Sequence, residues 1–402
     1  MVVPGCSTSE APPAGSTASS GAATTSAAAP EPPPSTGPAV ATPVTADVVA
    51  APVPVPGTDG KVHLAYELKL TNVLDQEVTV TSVGVHEGDQ TYLDLSGDGL
   101  SYWMRVIGNP SPATKLGPAQ TAIVWLDVAL AKDVRVPTTL VHTVGISVPK
   151  PMPPLFPATM TEVVAPVTVQ TRKPVVISPP LSGPGWLDGN GCCDMGAHRM
   201  ALNPIDGGLW AAERFAIDYV KLGADGKLFA GDQAKVESYP YFGADIHAVA
   251  DGPVVAAVDG MPEQVPGKSP TGLALGEYAG NHIVQDLGDG NYALYAHIKT
   301  GAVKVKPGDQ LKAGQVIGSV GNTGNSDAPH LHFHVMSGPD PLMADGLPFV
   351  FDSFTLDGRI TSGDAVGPLL EGKPAPMESG VTARDETKVS PLELDVMTYA
   401  NR

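Results

Sequence analysis

Apolar and polar residues alternate with a period of two through much of the first half of the chain. Val62, Leu64, Tyr66, Leu68 and Leu70 fall on one side of such a run, Glu67 and Lys69 on the other, and Asn72 ends it. Ala122, Val124, Leu126, Val128 and Leu130 repeat the pattern, as do Leu140, Val144, Ile146 and Val148 around His142. Successive side chains of a strand point to opposite faces, so these runs describe half-buried strands. Separated by Gly, Pro and Asp turns, they predict an antiparallel β-sandwich over about residues 46–170. No chemistry is visible in it: His63, His86 and His142 are scattered and read as surface or hydrogen-bonded core residues, and the sandwich reads as a spacer or interaction module.

The pattern then shortens. Pro149 to Pro154 and Pro179-Pro180 mark linkers or edge-strand turns, where the missing Pro donor does no harm. From about residue 171 to 360 short apolar runs (Ile246 to Ala250, Val254 to Val258, Asn281 to Leu287) are each followed by an Asp-Gly pair, which predicts tight hairpins. The stretch from Val303 to Gly318 has the Gly rhythm of a small barrel-like sheet with sharp corners. Little helix is expected, and the chain reads as all-β. The polar tail 361–402 is expected either to add a strand or to stay loose.

Within the 171–360 region, which holds seven of the ten histidines, Pro329-His330-Leu331-His332-Phe333-His334-Val335 carries the most information. On a strand, His330, His332 and His334 project together while Leu331, Phe333 and Val335 enter a core. Three imidazoles on one face suit a metal or proton-transfer site.

Composition narrows the rest. Lys and Arg total 24 against 42 Asp and Glu, a formal net charge of -18 with no basic cluster, which argues against a nucleic-acid partner. No apolar run reaches the roughly 18 residues that span a bilayer. The first 45 or so residues, rich in Ala, Ser, Thr and Pro, lack the large apolar side chains that offset ordering entropy and read as a disordered tether. Val3-Pro4-Gly5-Cys6 resembles a bacterial lipoprotein cleavage region, so the tether is expected to attach to a membrane through a lipidated Cys6, with the true start upstream of Met1. Cys192 and Cys193 are adjacent. Either a disulfide between neighbours or two reduced thiols fits, and neither thiol is expected to bind zinc.

Several motifs occur in one order: Ala296-His297, Lys306-Pro307-Gly308-Asp309 to Gly318, Gly321-Asn322-Thr323-Gly324-Asn325-Ser326, and Pro329-His330-Leu331-His332-Phe333. Over about residues 196–350 the chain thereby resembles the LytM/lysostaphin-type zinc metallopeptidases, which have a β-sheet (duplicated hybrid motif) fold and hydrolyse peptide bonds in peptidoglycan. The resemblance implies His332 and Asp218 as zinc ligands and His297 and His330 as catalytic histidines. It departs from the simplest family pattern at Arg214, where a His stands four residues before the Asp. His198 then becomes the expected third ligand, carried by a loop that Pro204 and Gly207-Gly208 can turn back, with Arg214 aimed at an acidic side chain or a substrate carboxylate. His334 stands where Glu is frequent and is expected to support the ligands, while His247 and His282 read as packing or edge residues. The activity implied is zinc-dependent endopeptidase chemistry on peptidoglycan or another envelope peptide, in the cell envelope or outside the cell. Two rivals remain. A catalytically inactive family member regulating cell-wall amidases would keep the fold, and a biotin- or lipoate-carrier module would need a modifiable Lys at a hairpin tip.

Overall fold

The computed structural model describes residues 39–401, without the side chains of residues 364 and 365. Cys6 and nearly all of the expected tether lie outside the described residues; the first strand, Val44–Val48, begins just before the end expected for that tether.

Two five-stranded antiparallel sheets follow. One orders Val44–Val48, Lys61–Asn72, Thr121–Ala131 and Met104–Val106, with Val55–Pro56 beside Lys61–Asn72. The other orders Thr159–Thr168, Thr139–Ser147, Val78–Glu87 and Gln90–Ser96, with Lys115–Leu116 on Val78–Glu87. The alternating residues meet across the ladder, Leu64 opposite Val128, Tyr66 opposite Leu126 and Leu68 opposite Val124. All six are buried in one core with Val80, Val83, Leu140, Val144 and Ile146. Burying each such side chain contributes roughly 1.5–3 kcal/mol, which is why the period-two pattern fixes both the strand and its inward face.

The outward face differs from expectation at one position. Glu67, on the side read as polar, is fully buried, because that face is covered by the second half of the chain. Val55 and Ala65 of the sandwich pack there with Cys192, Cys193, Phe215 and Val350, and Cys192 and Cys193 are disulfide-bonded to each other.

The second half is built on an eleven-stranded sheet. Its order runs Gln310–Leu311, Gly252–Val258, His282–Gly288, Asn291–Ala296, Leu331–Met336, Ile217–Lys221, Gly183–Gly189, Asp395–Tyr399, Phe354–Arg359 and Arg384–Glu386, with Gly346–Leu347 beside Leu331–Met336. Of the three Asp-Gly pairs, only Asp289-Gly290 closes a tight hairpin, between His282–Gly288 and Asn291–Ala296. Asp251-Gly252 enters a strand that pairs elsewhere, and Asp259-Gly260 opens the long connection before His282. Those turns were expected from local chemistry, whereas pairing is decided by which strand covers the apolar face. The tail contributes Asp395–Tyr399 to the interior of the sheet, where Val396, Met397 and Tyr399 are buried.

Candidate metal centre

The strand Leu331–Met336 lies between Asn291–Ala296 and Ile217–Lys221. Leu331, Phe333 and Val335 enter the core, where Phe333 packs on Tyr295 and Phe349 at 5.3 Å between ring centroids. His332 therefore faces the other way, in register with Asp218 on one neighbour and Ala296 on the other. Gly189 pairs with Asp218 one strand further on. A row thus crosses four strands, and His297 and Asn190 stand immediately beyond the ends of the outer two.

Asp218 is the hub. His332 Nδ1 lies 2.9 Å from its Oδ1, His330 Nε2 3.2 Å from the same oxygen, and His198 Nε2 3.2 Å from Oδ2. The rings of His198 and His332 stand edge to face with centroids 4.7 Å apart, and those of His297 and His330 lie 4.6 Å apart. His198 sits on the helical turn Ala197–Met200, whose loop does fold back over the strand carrying Asp218. Asn190, not anticipated from the sequence, donates Nδ2 to Asp218 Oδ2 at 2.9 Å. Its only sequence signal is its place between Gly189 and Gly191, consistent with its left-handed φ of 59°.

Backbone carbonyls fix the tautomers. A carbonyl only accepts, so His198 Nδ1 donates to Ala216 O at 3.0 Å, His297 Nδ1 to Thr323 O at 2.7 Å and His330 Nδ1 to Ala328 O at 2.8 Å. Each ring then turns its Nε2 inward. His332 Nε2 contacts His334 Nδ1 at 3.0 Å, leaving His332 Nδ1 for the Asp218 side. The Gly321–Ser326 loop supplies the carbonyl that holds His297. A Cβ on Gly280 or Gly324 would come within 2.4 Å of the facing backbone, so the two loops touch only because both are Gly. Thr323 Oγ1 takes up Asn281 N–H and bonds to Ile298 O, and Ser326 Oγ lies 3.2 Å from His330 Nδ1. His297 itself adopts a φ of 60°, a strained conformation of the kind that clusters at active sites.

Burial and charge act together here. Burial disfavours the protonated His198 ring, but the Asp218 carboxylate outweighs it and holds the pKa up at about 10. Burial would raise Asp218, yet His198 and His330 hold it well below the usual carboxylate range. His297 and His334 are pushed well down by burial and by their imidazole neighbours. Lone pairs of three imidazoles converging on a carboxylate repel one another unless a cation or proton lies between them. This donor set, imidazoles and one carboxylate, fits Zn²⁺, which would take the place of the proton that Asp218 otherwise holds on His198. Potential ligand atoms of His198, Asp218 and His332 all lie within 4.8 Å of one another, as do those of His297, His330 and His332.

A third grouping, His63, Asp127 and Cys193, is already satisfied: His63 bonds Asp127 and Asp59 through its two nitrogens, and Cys193 is in the disulfide. His247 and His282 lie apart from the site and bond backbone carbonyls of Gly314 and Gly280. The histidines of the site open on a cleft of about 370 Å³, lined also by Glu213, Tyr278, Asn325 and Asp327.

The site thus gathers histidines and a carboxylate at an open cleft on a β-sheet, a donor set that could hold a metal ion. The model of peptidase family M23 matches residues 239–343. This segment belongs to that family, of the LytM/lysostaphin type. It holds His297, His330 and His332, while His198 and Asp218 precede it. The chain is 36% identical over 108 residues to the glycyl-glycine endopeptidase ALE-1 of Staphylococcus capitis, covering 27% of this chain and 25% of the relative. It is 35% identical over 132 residues to lysostaphin of Staphylococcus simulans, covering 32% and 22%. To the peptidoglycan DD-endopeptidase ShyA of Vibrio cholerae serotype O1 it is 37% identical over 67 residues, covering 17% and 15%. The matches span a quarter or less of the length of these relatives.

Proposed function

We propose that this chain is a zinc-dependent endopeptidase that hydrolyses peptide bonds in peptidoglycan, with His198, Asp218 and His332 as metal ligands and His297 and His330 as catalytic histidines. The observation that carries the reading is the convergence of three imidazole nitrogens on Asp218 at 2.9–3.2 Å at the floor of an open cleft. Relatives whose names describe glycyl-glycine and peptidoglycan endopeptidases support the substrate class.

Zn²⁺ held there supplies a Lewis acid and brings the pKa of a water toward neutrality. Asn190 and the strand register hold the Asp218 carboxylate in place, and Ala216 O holds His198 with Nε2 inward. His297 and His330, with Nδ1 tied to carbonyls, each present one Nε2 to the cleft. An imidazole so placed can take a proton from the attacking water or return one to the departing amine. His334 Nδ1, 3.0 Å from His332 Nε2, holds that ring with its Nδ1 toward Asp218.

The envelope is the compartment that this substrate requires, and a lipidated Cys6 on its tether would place the enzyme there. Among the described residues no helix is long and apolar enough to cross a membrane. Digestion of purified peptidoglycan, with elemental analysis of the same sample, tests the reading. About one zinc per chain and new amino termini released from the wall, abolished by a chelator and restored by Zn²⁺, are expected. Zinc-loaded protein that releases no termini but stimulates a cell-wall amidase would replace this reading with the regulatory one.

A further inference from the structure

The only acidic residue on the outward face of the Lys61–Asn72 strand, apart from the sandwich core, is Glu67, and it is fully buried. Arg214 grips it from the second half of the chain, Nε lying 2.9 Å from Oε1 and 3.1 Å from Oε2, with Nη2 also on Oε2. Arg199 Nη1 bonds the other side of the same carboxylate, at Oε1. Arg199 Nη2 reaches further into the sandwich, to Tyr66 O at 2.9 Å and Leu126 O at 3.0 Å, and Arg214 Nη1 bonds Gly346 O at 3.2 Å. Both guanidinium groups are almost completely buried.

The two arginines sit on the two segments that bear candidate ligands. Arg199 directly follows His198 on the helical turn Ala197–Met200, and Arg214 lies four residues before Asp218. The bond that orients the His198 ring, from Nδ1 to Ala216 O, joins these same segments. A four-residue helical turn has almost no stability of its own, since nucleation costs more than one hydrogen bond returns. Something outside the segment must hold it. A buried ion triad is a poor source of net stability, because desolvation offsets its Coulomb energy, but it is directional and fixes geometry.

We infer that Glu67 is a positioning residue for the metal centre: the sandwich reaches into the second half of the chain and, through Arg199 and Arg214, holds His198 and Asp218 in ligating register. The site is therefore incomplete without the sandwich, and Arg214, the departure from the family pattern, is one of the two residues that couple them. This rests on the assignment of His198 and Asp218 as ligands.

The test compares zinc affinity, by competition with a chromophoric chelator, in the full chain and in Glu67→Gln and Glu67→Leu/Arg199→Met/Arg214→Met, with melting curves alongside. The apolar triple variant fills the same space without charge and is expected to melt close to wild type. Both variants are expected to bind zinc about 10- to 100-fold more weakly, the usual cost of losing a group that orients a ligand. Ile146→Ala, which weakens the sandwich core from the facing sheet, serves as the control and keeps wild-type affinity. Wild-type affinity in either variant that retains a cooperative melt overturns the inference, as does a loss of affinity in Ile146→Ala equal to that in the variants. Wild-type protein that takes up no zinc overturns the ligand assignment, and this inference with it.

Discussion

His63 and His142 of the sandwich are as buried as the histidines of the cleft, and the two groups differ in what their second nitrogen meets. In the sandwich every ring is used up: His142 bonds Tyr66 Oη at 2.8 Å and Ala165 O at 2.9 Å, His63 spans Asp127 and Asp59, and His86 spans Thr91 and Thr143. In the cleft one nitrogen of His198, His297 and His330 is tied to a carbonyl and the other is turned inward. A buried imidazole with both nitrogens satisfied stabilises a fold. One that is held by one nitrogen and offers the other at a shared point is available for chemistry.

The largest effect expected from breaking this contrast is at the hub. Asp218→Ala and His332→Ala should each strip the metal, measured by elemental analysis after dialysis, and reduce peptidoglycan hydrolysis by a hundredfold or more. Full zinc content in both would put the metal elsewhere. Next come His297→Ala and His330→Ala, which should lose about a hundredfold in turnover while keeping zinc. Unchanged turnover in either removes that ring from the proposed mechanism.

A smaller effect, of the opposite kind, belongs to the sandwich. His142→Ala should destabilise the protein by about 2–4 kcal/mol, from the cavity and the stranded Tyr66 hydroxyl, with specific activity of the folded protein unchanged. Chemical denaturation beside a turnover assay reads both.

The finest distinction is in pH. Burial disfavours charged His63, but Asp127 and Asp59 raise its pKa from the ordinary 6.5 to about 9. A raised folded pKa means that its contribution to stability is in place below pH 6.5 and is lost as pH rises toward 9. Burial lowers His142 to about 4, so its neutral-form stability is in place above pH 6.5 and is lost as pH falls toward 4. Denaturation midpoints across pH 4–10 should therefore lose part of their alkaline slope in His63→Gln and part of their acid slope in His142→Ala. Identical slopes in wild type and both variants would break the assignment.

How much was legible follows the same division. The sandwich strands were readable because a period of two, repeated over Leu64, Tyr66, Leu68 and Leu70, allows one inward face. His330, His332 and His334 were readable because they share one strand, and Asp218 and His297 because their motifs accompany it. Asn190 was not readable, since its role depends on a register between strands far apart in the chain. The Asp251-Gly252 and Asp259-Gly260 pairs were misleading for the same reason: turn chemistry is local and strand pairing is not.

The sequence by itself determined the all-β pattern and the histidine face of Leu331–Met336. Only the tertiary structure decided that Glu67, read as an outward polar residue, is buried against Arg199 and Arg214, that Asp395–Tyr399 enters the main sheet, and that His198 reaches Asp218. Alternation tells which side of a strand is apolar. What covers the other side depends on long-range packing, and there a buried charge is acceptable only where its partners arrive from elsewhere in the chain.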